Sequence, residues 1–247
     1  MASPALLAVS HGTGNVSGQR AVAALVDAVA ARLPAVTVRL AHVDVQQPDA
    51  EAALAALNED LAADQPVVIV PLLLSAGYHV HVDLARAAST RPGTRVARAL
   101  GPDPRLAEIL ADRLRELDTD PDPDPDPDTE PSTDVPDAVV LAVAGSSDQR
   151  ANEDCRRTGA LLSARLGHDV SIGFLAAAAP SVAQAVADAA ASGRRVAVAS
   201  YLLAPGYFHD LTVRQAGPGA RVSRPLLTGD APPPRALVDL VIDRFLH

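Results

Sequence analysis

Four sequence signals occur twice in this chain, in the same order. Leu7-Ala-Val-Ser10 is matched by Leu141-Ala-Val-Ala144, and Pro48, opening an Ala-rich stretch, by Pro180. Leu72-Leu-Leu-Ser-Ala-Gly-Tyr78 is matched by Tyr201-Leu-Leu-Ala-Pro-Gly-Tyr207, and Pro104-Arg105 by Pro234-Arg235, each pair leading into an apolar-periodic run. An ordered repeat of this kind implies two copies of one structural unit rather than one irregular domain. A segment of different character lies between the copies. Residues 118–137 hold eight Asp, one Glu and no basic residue, with Asp and Pro alternating from Asp120 to Asp128. Proline fixes φ and removes a donor, and like charges repel, so the segment is expected to be an extended, solvated linker. The alternative is an acidic metal-scavenging tract. The expected division is residues 1–117, linker 118–137 and residues 138–247.

Each copy alternates strand and helix. The first is predicted as strand 5–10, helix 17–33 with Ser17 as a possible N-cap, strand 36–42, helix 48–63, strand 67–73, helix 80–89, strand 95–99 and helix 104–117. The second is predicted to have strands 138–144, 169–174 and 195–202, helices between them and one at the C-terminus. Continuous apolar runs such as Val67-Val-Ile-Val70 suit strands covered on both faces of a parallel sheet. The expected fold class is α/β, as two parallel-sheet domains facing each other across a central cleft.

Composition excludes several function classes. The formal net charge is −9, and removing the nine acidic charges of 118–137 leaves the remainder neutral, with no footprint for DNA or RNA. Aromatic residues are only 2% and Trp is absent, so base-stacking platforms are scarce. The chain has no Lys, which removes Schiff-base chemistry and a Walker-type phosphate site. Cys155 is the single cysteine, so a Cys-rich zinc site, a four-Cys cluster and an intrachain disulfide are excluded. The N-terminal apolar run lacks a positive flank and is too short for a secretion signal or a membrane span, and no other stretch reaches spanning length. A cytoplasmic protein without a membrane partner is the expectation.

Ligands of open parallel sheets bind beyond the C-terminal strand ends. Two histidines fall there. His11 follows the first strand in Ser10-His-Gly-Thr-Gly-Asn15, and His79 follows the third after Leu74-Ser-Ala-Gly-Tyr78. Imidazole suits divalent iron, cobalt and nickel, and accepts protons near neutral pH. A lone loop histidine is more often a surface residue than a ligand; the shared position of the two raises both above that base. His81 is either a second ligand or a solvated neighbour, His42 ends a strand shortly before Asp44, and His168 reads as turn chemistry. Gly12-Thr-Gly14-Asn-Val-Ser-Gly18 resembles a dinucleotide fingerprint whose last Gly comes one residue late. Ser10, His11 and Asp44 suggest a hydrolase triad, but without the G-x-S-x-G elbow.

At these residues the chain resembles the sirohydrochlorin chelatases, the class II chelatases of the CbiX/SirB type. Leu7-Ala-Val-Ser-His-Gly-Thr13 looks like the family's strand-then-SHG opening. Pro71-Leu-Leu-Leu-Ser-Ala-Gly-Tyr-His79 looks like its PLFLSAGxH loop, the more specific of the two. Val43-Asp44-Val-Gln-Gln-Pro48 resembles its FLExxxP stretch, with Asp where Glu is usual. The second half, with its PGYFHD segment, resembles the degenerate copy of the long two-domain members. In it the SHG histidine is read as replaced by Gly145 and the carboxylate by Ala176, with His209 one residue out of register with His79.

The resemblance implies two Rossmann-like domains and insertion of Fe²⁺ or Co²⁺ into sirohydrochlorin in siroheme or cobalamin biosynthesis. It implies that His11 and His79 hold the metal, with His11 as proton acceptor. Ser10, Asp44, Leu74, Ser75, Ala76, Gly77 and Tyr78 would contact the macrocycle. The metal is then a substrate and no cofactor is bound permanently. The partners are the tetrapyrrole and the divalent ion, the second half is catalytically dead, and a monomer is expected. Two alternatives stay open: a tetrapyrrole or metal carrier without turnover, and a hydrolase or nucleotide-binding α/β protein sharing only the fold.

Overall fold

The computed structural model describes residues 3–62, 64–75, 77, 82–119, 137–191 and 193–247. Most of the expected linker, and the residues Ala76, Tyr78, His79 and His81, lie outside the described residues. The first half contains β1 (Ala5–Ser10), α1 (Val16–Arg32), β2 (Val38–His42), α2 (Ala50–Asp60), β3 (Val67–Pro71), α3 (Asp83–Ser89), β4 (Thr94–Val96) and α4 (Pro104–Thr119). The second contains β5 (Ala138–Val143), α5 (Gln149–Leu166), β6 (Val170–Phe174), α6 (Val182–Ala190), β7 (Val196–Tyr201), α7 (Tyr207–Ala216), β8 (Ala220–Val222) and α8 (Arg235–Leu246). Each half forms a four-stranded sheet, in the orders β2-β1-β3-β4 and β6-β5-β7-β8. All pairings are parallel. The two α/β parallel-sheet domains expected from the alternation are therefore present.

The sheets are double-faced, as the apolar runs require. Every residue of β1 is buried. Its alternate side chains go to opposite faces: Leu6 and Ala8 join the large central core, whereas Ala5, Leu7 and Val9 pack under α2 and α3. Helix starts are set by short polar side chains. Asn15, Asp49, Asp148 and Ser181 each accept a hydrogen bond from a first-turn N–H of α1, α2, α5 and α6. The cap of α1 is thus Asn15 rather than Ser17, because the extended backbone at Asn15 aims its Oδ1 at Gly18 N, 3.0 Å away. Strand β8 escaped the sequence reading; it is three residues long and polar at its centre, too short to show a period.

The last helix of each half is exchanged. Helix α4 leaves the first sheet and packs on α5 and β7, while α8 packs on α1 and β3. Side chains from both halves consequently share one core, in which Leu6, Val68 and Leu25 meet Leu141, Tyr201 and Leu237. Arginines secure the exchange at backbone carbonyls. Arg113 donates to Pro225 O and Leu226 O at 3.2 and 3.0 Å, and Arg95 to Phe245 O at 2.7 Å. Buried Arg244 of α8 donates to Ala99 O and Leu100 O at 3.0 and 2.8 Å and pairs with Asp103 at 3.1 Å. Burial pushes the Asp103 carboxyl upward, but the guanidiniums of Arg105 and Arg244 outweigh it and hold its pKa below the ordinary value.

Strand register also fixes which residues correspond. Ser10 pairs with His42 as Val143 pairs with Phe174. Asp44 N donates to His11 O as Ala176 N donates to Ala144 O, both at 3.0 Å. The counterpart of His11 is therefore Ala144, which corrects the assignment to Gly145. Gly145 instead corresponds to Gly12. Both have positive φ, 91° and 81°, and an added Cβ would lie 2.1 and 2.0 Å from the carbonyl oxygens of Asp44 and Ala176. The match of the carboxylate position to Ala176 stands.

Candidate active site

The two sheets place their C-terminal edges around one cavity of about 810 Å³. Ser10, His11, Leu74, Ser75 and Gly77 line it from the first half; Ala144, Cys155 and the segment 201–208 line it from the second. Such a volume and a largely apolar lining suit a sizeable organic ligand.

His11 leaves β1 at the cavity and is exposed. Its carbonyl oxygen accepts Asp44 N, which ties the loop after β1 to the loop after β2. Ser10, at the strand end, is 2% exposed, and its Oγ lies 2.8 Å from Nδ1 of His42, itself 5% exposed. Burial lowers the pKa of His42, so this imidazole is neutral at neutral pH. The hydrogen bond fixes the Ser10 hydroxyl at the cavity floor. In the second half the same two positions are Val143 and Phe174.

Asp44 lies in the loop after β2. It does not line the cavity, and its Oδ1 accepts Val45 N at 2.7 Å. Val45, at φ 64°, lines the cavity instead. Leu74 and Ser75 line it as well. Leu74 O accepts the hydroxyl of Tyr201 at 2.9 Å, and that hydroxyl is also 3.2 Å from Thr158 Oγ1. A Cβ on Gly101 would fall 2.2 Å from the Tyr201 oxygen, so glycine there makes the bond possible. A buried tyrosine of the second half thus holds the loop that leads toward His79.

The glycines of the apparent dinucleotide fingerprint serve packing. Gly12 admits the Asp44 carbonyl, and an added Cβ on Gly18 would sit 2.2 Å from Pro205 O of the facing half. Cys155, 6% exposed, has its thiol pushed up to about 11 by burial, so it stays protonated at neutral pH. Among the described residues no group of three or more His, Cys, Asp or Glu side chains is placed to hold a metal ion. His209, in α7, lies 3.2 Å from Ser200 Oγ, and its pKa is lowered by burial against the opposing charge of Asp210. Sequence reasoning gave no role to His42, Tyr201 or the pair Tyr207–Phe208. The register of the repeat was the one signal that pointed to the last pair, because it aligns Phe208 with His79.

The CbiX family model matches residues 5–117 and 138–217, most of both halves. The chain belongs to the CbiX family. No curated protein matches its sequence. Solved structures of similar fold include SirB from Bacillus subtilis with Fe³⁺, at 21% identity and a TM-score of 0.75, covering 99% of this chain and 94% of that one. SirB from Bacillus subtilis subspecies spizizenii in complex with cobalt matches at 20% identity and 0.75, covering 100% and 94%. CbiX described as the terminal enzyme of siroheme biosynthesis in denitrifying bacteria matches at 22% and 0.65, covering 97% and 98%. For this CbiX-family chain, these likenesses establish the two-lobed chelatase fold expected from the sequence.

Proposed function

We propose that this protein is a metal chelatase that inserts Fe²⁺ or Co²⁺ into sirohydrochlorin, in siroheme or cobalamin biosynthesis. The observation that carries the reading is His11 at the end of β1, facing one large cavity enclosed by both lobes. Membership of the CbiX family and the metals bound by the SirB structures of like fold support it.

The chemistry asks for little. Two pyrrole N–H bonds break, bonds from the ring nitrogens to the ion form, and two protons leave; no electron is transferred. In our reading His11 accepts a pyrrole proton and shares delivery of the ion with His79, which the chain places shortly after the Leu74–Gly77 turn. Neutral imidazoles bind the ion without trapping it, and Cys155, protonated, does not compete. Ser10, Leu74, Ser75, Ala76, Gly77 and Tyr78 face the macrocycle. Asp44 acts through its backbone, shaping the His11 loop, rather than by reaching the substrate. The metal is substrate, with no permanent cofactor.

We further take residues 1–117 as the catalytic half, 118–137 as a linker and 138–247 as the degenerate half. The exchanged helices and shared core favour a monomer complete in one chain. No helix among the described residues is long and apolar enough to cross a membrane, and we take the location to be cytoplasmic. The test is anaerobic incubation of the full chain with sirohydrochlorin and Fe²⁺ or Co²⁺, followed by absorbance. Metallation above the uncatalysed rate is expected. Binding of macrocycle without metallation would make the protein a carrier, and neither would leave only the fold.

A further inference from the structure

The chain has six aromatic residues in 247. Of these, Phe174, Tyr201 and Phe245 are buried, at 1%, 2% and 3% exposure. Tyr207 and Phe208 are the opposite, 68% and 39% exposed, and both line the cavity. They open α7, and their rings meet edge to face, 5.5 Å between centroids and 73° between planes. The Arg214 guanidinium, two turns further along the same helix, sits 5.9 Å from the Tyr207 centroid. Exposed neighbouring rings forgo a large burial gain, and in so aromatic-poor a chain their position at the cavity asks for a ligand that covers them.

Their position is fixed from the other half. Gly206, just before Tyr207, lies against Thr13; a Cβ there would be 2.9 Å from Thr13 Oγ1. Pro205 O rests over Gly18. The turn that carries the rings is therefore pressed against the loop that carries His11. Register adds the last point. Leu72 corresponds to Tyr201 when the register of β3 on β1 is laid over that of β7 on β5, so by sequence count His79 corresponds to Phe208 and Tyr78 to Tyr207.

We propose that Tyr207 and Phe208 form a stacking face for a flat conjugated macrocycle, supplied by the half that lacks the His11 imidazole. The proposal rests on the chelatase reading and extends it. The first half contacts the ion and the ring nitrogens, and the second presents an aromatic face to the macrocycle's π surface. Where the first half has an imidazole in this loop, the second has a phenyl ring, so one loop position serves metal in one lobe and macrocycle in the other.

The test is titration of metal-free sirohydrochlorin into the full chain, followed by macrocycle absorbance, with insertion rates measured against metal concentration. Tyr207→Ala is expected to weaken macrocycle binding about tenfold, and Tyr207→Ala with Phe208→Ala more, while the metal KM stays unchanged. Tyr207→Phe, which keeps the ring, should bind like wild type, and Tyr207→Leu, which keeps apolar area, should not. Thermal melting checks that the variants fold. Wild-type binding with a double variant within twofold of it would overturn this proposal alone. Failure of the wild-type chain to bind the macrocycle would overturn the chelatase reading and this proposal with it.

Discussion

The loops after β1 and β2 in the first half and those after β5 and β6 in the second share a backbone and almost none of its chemistry. Gly12 and Gly145 hold the same positive φ, and so do the non-glycine residues Val45 and Ala177, at 64° and 57°. Yet His11 faces Ala144 in the comparison, Asp44 faces Ala176, and the polar pair Ser10–His42 faces Val143–Phe174. A left-handed non-glycine residue ordinarily draws suspicion of function. Its presence in the half without the imidazole shows that here it belongs to the loop's architecture. Side chains at the strand ends, not loop geometry, separate the two lobes.

The strongest way to break this comparison is to remove the first half's imidazole. His11→Ala should lower the insertion rate by about 10²–10⁴-fold, the range for a lost general base. Ala144→His in the same background should not restore it. Full activity in the His11→Ala, His79→Ala double variant, read by anaerobic absorbance, would end the mechanism.

Next comes transplanting the second half's pair. Ser10→Val with His42→Phe should fold, since Val143 and Phe174 fill the same positions, and should lose about 10–100-fold in rate as a hydrogen-bonded support is removed. It should also flatten the pH dependence of stability. Burial lowers the folded pKa of His42 below its unfolded value, so below about 6.5 the unfolded chain binds the proton first. Its contribution is present above that pH and is lost as pH falls toward the folded pKa. Melting temperatures from pH 7 to 5 should drop less steeply in the double variant.

A structural pair of changes sharpens the shared-backbone half of the argument. Gly12→Ala and Gly145→Ala each force a Cβ onto a carbonyl oxygen at positive φ. Each should destabilise by about 1–3 kcal/mol in denaturant titration; a harmless Gly145→Ala would mean that the second loop is not held as the first is. His209→Ala should change the rate by less than about threefold, because a half-buried imidazole on Ser200 lies in the half without the His11 counterpart. Smallest of all, replacing 118–137 by a Gly/Ser linker of equal length should leave melting temperature and rate unchanged, and a fall in either would show that the acidic segment packs or delivers metal.

Much of this could be read from the chain. The repeat, the doubly covered strands and the location of His11 at a strand end all follow from local patterns, which strand periodicity makes visible. What escaped depends on partners distant in sequence. Nothing near His42 announces Ser10, and Gly18 looked like a phosphate loop because Pro205, its reason, is far along the chain. The resemblance put Asp44 at the macrocycle, and nothing near it in the sequence announced that one of its carboxylate oxygens accepts Val45 N. The repeat suggested Gly145 for the histidine position, and only the register of β5 on β6 moved it to Ala144.

The exchange of α4 and α8 bears on ancestry and assembly. A polypeptide with a single copy of this unit would carry its final helix with no sheet of its own to cover, and its central face would stand open. Two such molecules, each lending that helix to the other about a twofold axis, would close both faces at once. The covalent join across the acidic segment then converts an encounter between molecules into one within a molecule, at an effective concentration that no longer depends on how much protein the cell makes. Freed from having to match its twin, one lobe could lose its imidazole and become a surface for something else.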